Sequence, residues 1–539
     1  MSTSASKGLY GSDLTLLGPT AAGLARKGML KWVIALTVAL GAILEVIDTS
    51  IVNVALPDIR GNLGATLSEA GWVSTGYACA NVVIIPLTAW LSDRFGKKRY
   101  FIFSLAGFTL ASMLCGMATN LTMLVIARVL QGLAGGGLLA KAQSMLFETF
   151  PREQQGAAQG VFGIGVISGP ALGPVLGGYL TDTLGWRWIF FINLPVGIFA
   201  VLMAMIFLPN DRSEERKSSS VDWWGIGLLA VGLACFQTML EEGQQEDWFN
   251  SRFITAMGIG SLLGLSLFIW RELTTEHPAV DLRVLRFKSL AAGSTYSLIF
   301  GMGIYGVVFA IPVFVQDYLH YTAEQSGLLQ MPGAIAAAVT MIAMGKLSGK
   351  YDARLLICTG ALITVGTAIV LSGINPNTGV SSLFWPLIWR SIGSVMIFLP
   401  LSLATLGSLP KNKIAAGAGF YNLTRQLGSS IGIALITTML AHRQATHRAV
   451  LVERVNVFSP QAVSRLHLLG AAFTRHSADP VFVRHQSLQA VDSIINGQAA
   501  LKSYADIFMY VGLAFIVSLP LLLLLNSGKT KSDAGAAVH

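Results

Sequence analysis

Long apolar runs, separated by short polar connections that are mostly basic, dominate this chain. Fourteen of them are long enough to cross a bilayer as helices, since about 20 residues at ~1.5 Å rise each span ~30 Å of hydrocarbon. They lie roughly at 30–56, 69–91, 100–119, 121–146, 156–181, 188–208, 222–241, 252–271, 289–316, 325–347, 355–373, 383–408, 414–440 and 504–526. The pattern therefore predicts an all-α membrane protein. Its first run breaks the rule the others follow, because it carries two acids, Glu45 and Asp48. Three residues apart on a helix, they share one face and can share one cavity. An acid at the centre of a spanning helix costs about 2.5 kcal/mol or more unless it is neutralised, paired or hydrated, which makes both functional candidates. The same polar groups, with Thr49, Ser50 and Asn53, also fit a packing role as hydrogen-bonding glue between helices.

Composition narrows the class. With 53% hydrophobic and only 12% charged residues, the chain is excluded from the soluble globular proteins. The net charge of +9 does not mark a nucleic-acid surface, because the basic residues sit in loops between apolar runs. One set of loops holds Arg94, Lys97, Lys98 and Arg99, then Arg212, Arg216 and Lys217, then Arg283, Arg286 and Lys288, then Lys350 and Arg354, then Lys411 and Lys413. The opposite short loops hold little beyond Arg60, Arg187 and Arg252, with acids such as Glu241, Glu242, Glu246 and Asp247. That asymmetry, with an even number of spans, puts both termini in the cytoplasm. The first apolar run, which follows a polar leader at 1–28, is too long, and lacks the small-residue cleavage site, for a secretory signal. Cys79, Cys115, Cys235 and Cys358 fall in apolar runs at unrelated spacings, so neither disulfides nor a metal site is expected.

The connection 442–503 lies outside by the same parity and holds His442, His447, His467, His476 and His485. Without paired spacing they read as part of a solvated, partly helical loop suited to contact with an external partner, not as metal ligands. Weak internal repetition divides the rest. Ala89-Trp90-Leu91-Ser92 and the basic turn after it echo in Gly345-Lys346-Leu347-Ser348 and the turn to Arg354, and Arg128 in the fourth run is matched by Arg390 in the twelfth. The expected plan is a leader at 1–28, a six-helix bundle at 29–208 and an inserted helix pair with its flanking loops at 209–288. A second six-helix bundle at 289–527 includes the outer loop 442–503, and a tail follows at 528–539. Two packed halves with a site at their midplane interface is how transporters alternate access.

Arg128 is the second intramembrane charge. It and Asp48 each lie about eight residues inside the outer end of their helices, ~12 Å deep at ~1.5 Å per residue, so they can pair. A guanidinium favours the charged carboxylate, and moving it away releases that hold in favour of a proton, which is what a proton-coupled switch requires. A static ion pair that fixes helix packing would look the same in sequence. The fifth run carries Gly160, Gly163, Gly165, Gly169, Pro170, Gly173, Pro174, Gly177 and Gly178, a density that kinks a helix and brings neighbours close. Arg425, one turn after Tyr421 and Asn422, can face a central cavity or bind carbonyls at a helix break. Tyr77, Phe162, Tyr305 and Phe309 are candidate cavity walls or packed aromatics. No phosphate-loop context accompanies the glycines, so no enzyme and no cofactor is expected, and energy must come from a gradient.

Four stretches carry a family resemblance over nearly all of the chain from Lys31 to Asn526. Ile47-Asp48-Thr49-Ser50-Ile51-Val52-Asn53-Val54-Ala55-Leu56-Pro57, Leu91-Ser92-Asp93-Arg94-Phe95-Gly96-Lys97-Lys98-Arg99, Arg128-Val129-Leu130-Gln131-Gly132, and Gly160 with Gly169, Gly173-Pro174 and Gly177-Gly178 resemble motifs of the major facilitator superfamily. Together with Trp186-Arg187-Trp188-Ile189-Phe190-Phe191-Ile192-Asn193-Leu194-Pro195, they are similar to its fourteen-helix drug:proton antiporter branch, of the EmrB type. Ala89 stands where the family pattern has glycine.

The resemblance implies proton coupling at Asp48 and Arg128, and a latch between the halves at Asp93, Arg94, Gly96 and Lys97. It also implies an antiporter hinge at Gly169, Gly173, Pro174, Gly177 and Gly178. Glu45 belongs to none of these patterns and joins the proton-coupling set on position alone. Tyr77, Gln131, Phe162, Tyr305, Tyr421, Asn422 and Arg425 are the residues expected to wall the substrate cavity.

The resemblance further implies a periplasmic membrane-fusion adaptor (EmrA-like) and an outer-membrane channel (TolC-like), hence a tripartite exporter in a bacterial inner membrane. The expected function is proton-driven export of lipophilic small molecules or drugs. Export of one physiological compound, such as a fatty acid or siderophore, and a non-transporting sensor or scaffold are the alternatives.

Overall fold

The computed structural model describes residues 17–26, 28–211, 221–276, 278–375, 378–456, 458–474 and 479–525. Most of the leader, Arg212, Arg216 and Lys217, His476 and the tail 528–539 lie outside them. In chain order the helices are α1 (Pro19–Arg26), α2 (Leu30–Leu63), α3 (Leu67–Phe95), α4 (Lys97–Gly116), α5 (Leu121–Gly135), α6 (Leu138–Thr149), α7 (Arg152–Leu184), α8 (Trp188–Phe191) and α9 (Asn193–Phe207). There follow α10 (Trp223–Glu242), α11 (Arg252–Thr274), α12 (Lys288–Asp317), α13 (Ala323–Leu347), α14 (Ala353–Ser372), α15 (Val380–Leu406), α16 (Ile414–Arg454), α17 (Pro460–Phe473) and α18 (Pro480–Ser518).

Counting α5–α6 and α8–α9 as one span each, twelve of these segments are long and apolar enough to cross a membrane. The bent α7 makes thirteen. The fourteenth run expected from the sequence is the first part of α16, which is long enough but more polar. It buries Asn422, Arg425, Ser429 and Ser430, and it packs on α12, α18, α3 and α6. A helix enclosed by protein needs less apolar surface than one facing lipid.

Within the first half α2 packs on α7 and α9, and α5 on α3 and α4; within the second, α12 packs on α16, and α14 on α15 and α18. The halves meet where α7 lies along α13 and where α3 and α6 meet α16. A shared device opens the second span of each half. Thr66 accepts from the Glu69 N–H at 3.3 Å while Glu69 Oε2 accepts from the Thr66 N–H at 2.9 Å. Thr322 and Gln325 repeat that reciprocal cap at 3.2 and 3.0 Å. Each cap satisfies two N–H groups that the helix start would leave without partners.

The glycines of α7 serve two seams. Gly165, Gly169, Gly173 and Gly177, four residues apart on one face, lie against Ile43, Val46, Ser50 and Ile51 of α2. Gly156, Gly160 and Gly163 lie against Met341 and Gly345 of α13, and Gly178 approaches Glu324. The arms Arg152–Pro170 and Leu172–Leu184 diverge by 48°. Pro174 has no N–H to give the Pro170 carbonyl one turn back. The Ser50 hydroxyl of α2 donates to that carbonyl instead, at 3.1 Å. The residues expected to form a hinge flank this bend, where α2 supplies the missing donor.

The inserted pair α10–α11 crosses at Gly232 and Gly264, whose backbones touch. α10 then lies against both α3 and α16. Thr75 donates to Glu242 at 2.8 Å, and Gln237 donates to Ser430 at 2.7 Å.

The connection 442–503 differs from the expected loop. α16 continues to Arg454, α18 starts at Pro480, and α17 packs on α18. Arg448 binds Asp492 and Asn496 at 2.8 Å each, and His447 meets Asp506 at 2.9 Å, so polar cross-links hold the C-terminal part of α16 against α18.

Gly169→Ala would place a methyl group 2.6 Å from Val46 Cγ1. It is expected to cost about 1–3 kcal/mol of overpacking, read as a lower unfolding temperature of the purified protein. Gly227→Ala, on the open face of α10 with nothing within 4 Å, should leave that temperature unchanged or slightly higher.

Candidate functional site

Asp48 is wholly enclosed, and two neighbouring helices, α5 and α9, bond to it. Arg128 Nη1 of α5 donates to its Oδ2 at 2.6 Å. Gln131 Nε2 and Asn193 Nδ2 donate to its Oδ1 at 2.9 and 2.8 Å. Arg128 is equally committed: its Nε donates to the Val73 carbonyl at 3.1 Å, and its Nη1 also reaches Gln131 Oε1 at 2.7 Å. Its guanidinium lies over the Tyr77 ring, 4.1 Å from the centroid. Asn193 is steered by Ser112, whose hydroxyl accepts from it at 3.0 Å and donates to the Phe190 carbonyl at 2.9 Å. Both carboxylate oxygens of Asp48 accept hydrogen bonds from buried donors, which is what makes a buried ion pair tolerable in an apolar interior.

Glu45 lies one turn earlier on α2 in a separate setting. Asn81 Nδ2 donates to Oε1 at 2.8 Å, and the Leu139 N–H donates to Oε2 at 2.9 Å. Leu139 is the second residue of α6, just past the interruption of the fourth span at Gly136–Gly137. A carboxylate suits the electropositive start of a helix. Asn81 also stands 3.5 Å from the Tyr77 hydroxyl, so a polar thread runs from Glu45 through Asn81 and Tyr77 to Arg128 and Asp48.

A cavity of about 60 Å³ opens elsewhere, between α7 of the first half and α12, α13, α15 and α16 of the second. It has room for a few water molecules. Drug-sized ligands need several hundred Å³. Of the residues expected to wall a substrate cavity, Tyr305 and Arg425 line it. Tyr77 and Gln131 belong instead to the Asp48 cluster, and Phe162 is packed in the apolar core. Asn422 accepts from Arg425 at 2.8 Å and donates to Gln143 of α6 at 2.7 Å, joining the halves, while Tyr421 is fully buried behind it. Phe309 is partly exposed on the outside of α12.

At the α3–α4 turn Gly96 adopts φ +93°, and a Cβ there would strike Asp211. Asp211 accepts from the N–H groups of Lys98 and Arg99 at 3.0 and 3.4 Å, and Lys97 meets Glu148 of α6 at 2.7 Å. The Lys97 contact stays within the first half, and that of Gly96 is with the segment that follows it. Asp93 and Arg94 stand at the same turn, Asp93 exposed. Asn193, Ser112 and Asn81 were given no role by the sequence reading. Asn193 was visible only as part of the Trp186–Pro195 signature, and single neutral amides in apolar runs carry no other mark. Among the described residues no cluster of His, Cys, Asp and Glu is arranged to hold a metal.

A two-halved helical bundle with an ion pair sealed in its core is the architecture of a multi-pass membrane transporter. The chain belongs to the Major Facilitator Superfamily, whose model matches residues 38–433. It is 33% identical to fatty acid resistance protein FarB of Neisseria gonorrhoeae, over 92% of this chain and 95% of that one. It is 33% identical to multidrug export protein EmrB of Escherichia coli K12, over 90% and 95%. For EmrB of Haemophilus influenzae the identity is 34%, over 82% and 88%. The solved structure of the human organic anion transporter MFSD10 (TETRAN) shares the fold at TM-score 0.58 and 13% identity, covering 91% of this chain and 99% of that one.

Arg128→Gln strands the Asp48 carboxylate and is expected to destabilise the protein by about 3–5 kcal/mol. The double variant Asp48→Asn/Arg128→Gln removes both charges and should recover part of that loss. Unfolding temperatures of the two purified variants against wild type check the order.

Proposed function

We propose that the chain is a proton-coupled antiporter that exports lipophilic small molecules across the bacterial inner membrane. Both termini lie in the cytoplasm, and the halves 29–208 and 289–527 rock about the α7 seams, with 209–288 as the inserted pair. The observation that carries the reading is Asp48, a carboxylate inside the hydrophobic slab that is bonded to a guanidinium and two amides.

Protonation of Asp48 ends its ion pair with Arg128. Arg128 then still has the Val73 carbonyl, Gln131 Oε1 and the Tyr77 face, so it can stay in place while Asp48 changes charge. Asp48 lies on the helix that packs along one glycine face of α7, on the side turned to α5 and α9. A change of charge there reaches the α7–α13 seam between the halves through α2 and α7. Glu45, on the same thread, is assigned to the same proton path. Asp93, Arg94, Gly96 and Lys97 are assigned to the cytoplasmic latch. Gly169, Gly173, Pro174, Gly177 and Gly178 are assigned to the hinge.

Relatives in two organisms are named for multidrug export, which supports a varied lipophilic cargo. The cross-linked helices α16, α17 and α18 form a surface suited to a periplasmic adaptor, and through it an outer-membrane channel. Protons and the cargo are the only small partners assigned.

Everted vesicles carrying the wild-type chain should dissipate an imposed pH gradient when a panel of lipophilic drugs is added. Vesicles with an equal amount of folded Asp48→Asn protein should not. Drug efflux that Asp48→Asn leaves unchanged would overturn the reading.

A further inference from the structure

Arg128 has a carboxylate; its counterpart in the second half does not. Arg390 stands in α15 as Arg128 stands in α5, but α12 carries no acid before Asp317 at its end. Arg390 is 9% exposed, and its Nη1 meets no partner among the described residues. It lines the 60 Å³ cavity. Arg425 lines the same cavity at 5% exposure, bonded to the neutral Asn422 and lying 5.5 Å from the Phe398 ring centroid. Glu45 is within electrostatic reach of Arg425 but makes no salt bridge with it among the described residues, its oxygens accepting from Asn81 and Leu139 instead.

Two guanidiniums therefore converge on one space inside the membrane, and neither makes a salt bridge among the described residues. Such charges are costly in a low-dielectric interior until an opposite charge joins them. The rest of the lining sharpens the demand. Gln330 turns a further unpartnered donor, Nε2, toward the same region, and Ser391 adds a hydroxyl. Phe300 and Phe398 supply apolar walls. A guanidinium offers a planar fork matched to the two oxygens of a carboxylate.

We propose that this cavity receives the deprotonated head of a lipophilic monoanion, a carboxylate on an apolar body, held between Arg390 and Arg425. The proposal rests on the transport reading and names its cargo class. The volume fits a head group, and the apolar body enters only as α7 separates from α12 and α13. Cationic amphiphiles are rejected by the two like charges. The anion site belongs to the second half and the exchangeable acid to the first, so cargo and proton are bound on opposite sides of the moving seam.

The test is equilibrium binding by calorimetry to the full chain in lipid nanodiscs at pH 8, with empty nanodiscs as reference. Octanoate, octanamide and octyltrimethylammonium are the probes. Octanoate should bind at least about tenfold more tightly than octanamide, the range expected for hydrogen bonds to a charged group, and octyltrimethylammonium should bind least. Arg390→Gln and Arg425→Gln should each weaken octanoate binding by about tenfold or more, with Arg390→Lys retaining part of it. Equal binding of the three probes by the wild-type chain would overturn the proposal, and that comparison decides even where a variant does not fold. Octanoate affinity unchanged in both folded Gln variants would overturn it as well. Binding needs no gradient, so failure here leaves coupling at Asp48 standing, and failure of the Asp48→Asn test leaves this result standing.

Discussion

A charge held in hydrocarbon must be answered by another charge or by several dipoles, and the interior of this protein is arranged around one such answer. The bond from Arg128 to Asp48 fixes α5 against α2, Gln131 and Asn193 fill the carboxylate's remaining acceptor sites, and Ser112 aims Asn193. The apolar core provides the cohesion. The cluster fixes which faces of α2, α5 and α9 must meet, because any other rotation would bury a charge or an amide without a partner. Register and chemistry are the same constraint here.

The two halves share a plan and differ in what they do with it. Both begin their second span with the same reciprocal cap, and both carry an arginine at the corresponding place in their fourth span. In the first half that arginine is neutralised from within the fold. In the second half it faces a cavity beside another arginine, so compensation has to come from outside. Two halves that share these devices thus differ in how their arginines are compensated.

Legibility in the sequence followed the strength of each physical signal. Span existence was readable because about 20 apolar residues in a row have few other uses in a chain this poor in charge. The pairing of Asp48 with Arg128 was readable from equal depth. α16 was harder, because the polar face it turns to its neighbours dilutes the apolar signal, and its extension to Arg454 carries only the short apolar stretch 449–452. The interruption at Gly136–Gly137 was invisible without Glu45 opposite it, since glycines in membrane helices are common. The glycines of α7 announced close packing, but which faced α2 and which α13 depends on a bend whose donor, Ser50, sits 120 residues away. The tie between Asn422 and Gln143 crosses the halves and had no local signature.

The inserted helices have a mechanical meaning that follows from their two attachments. α10 is fastened to α3 by Thr75 and Glu242 and to α16 by Gln237 and Ser430, and α11 is carried on it through the glycine crossing. When α3 and α16 change their spacing, one of those fastenings has to stretch or let go. On the proposed rocking of the halves, the pair is a spring clipped across the joint rather than an inert spacer.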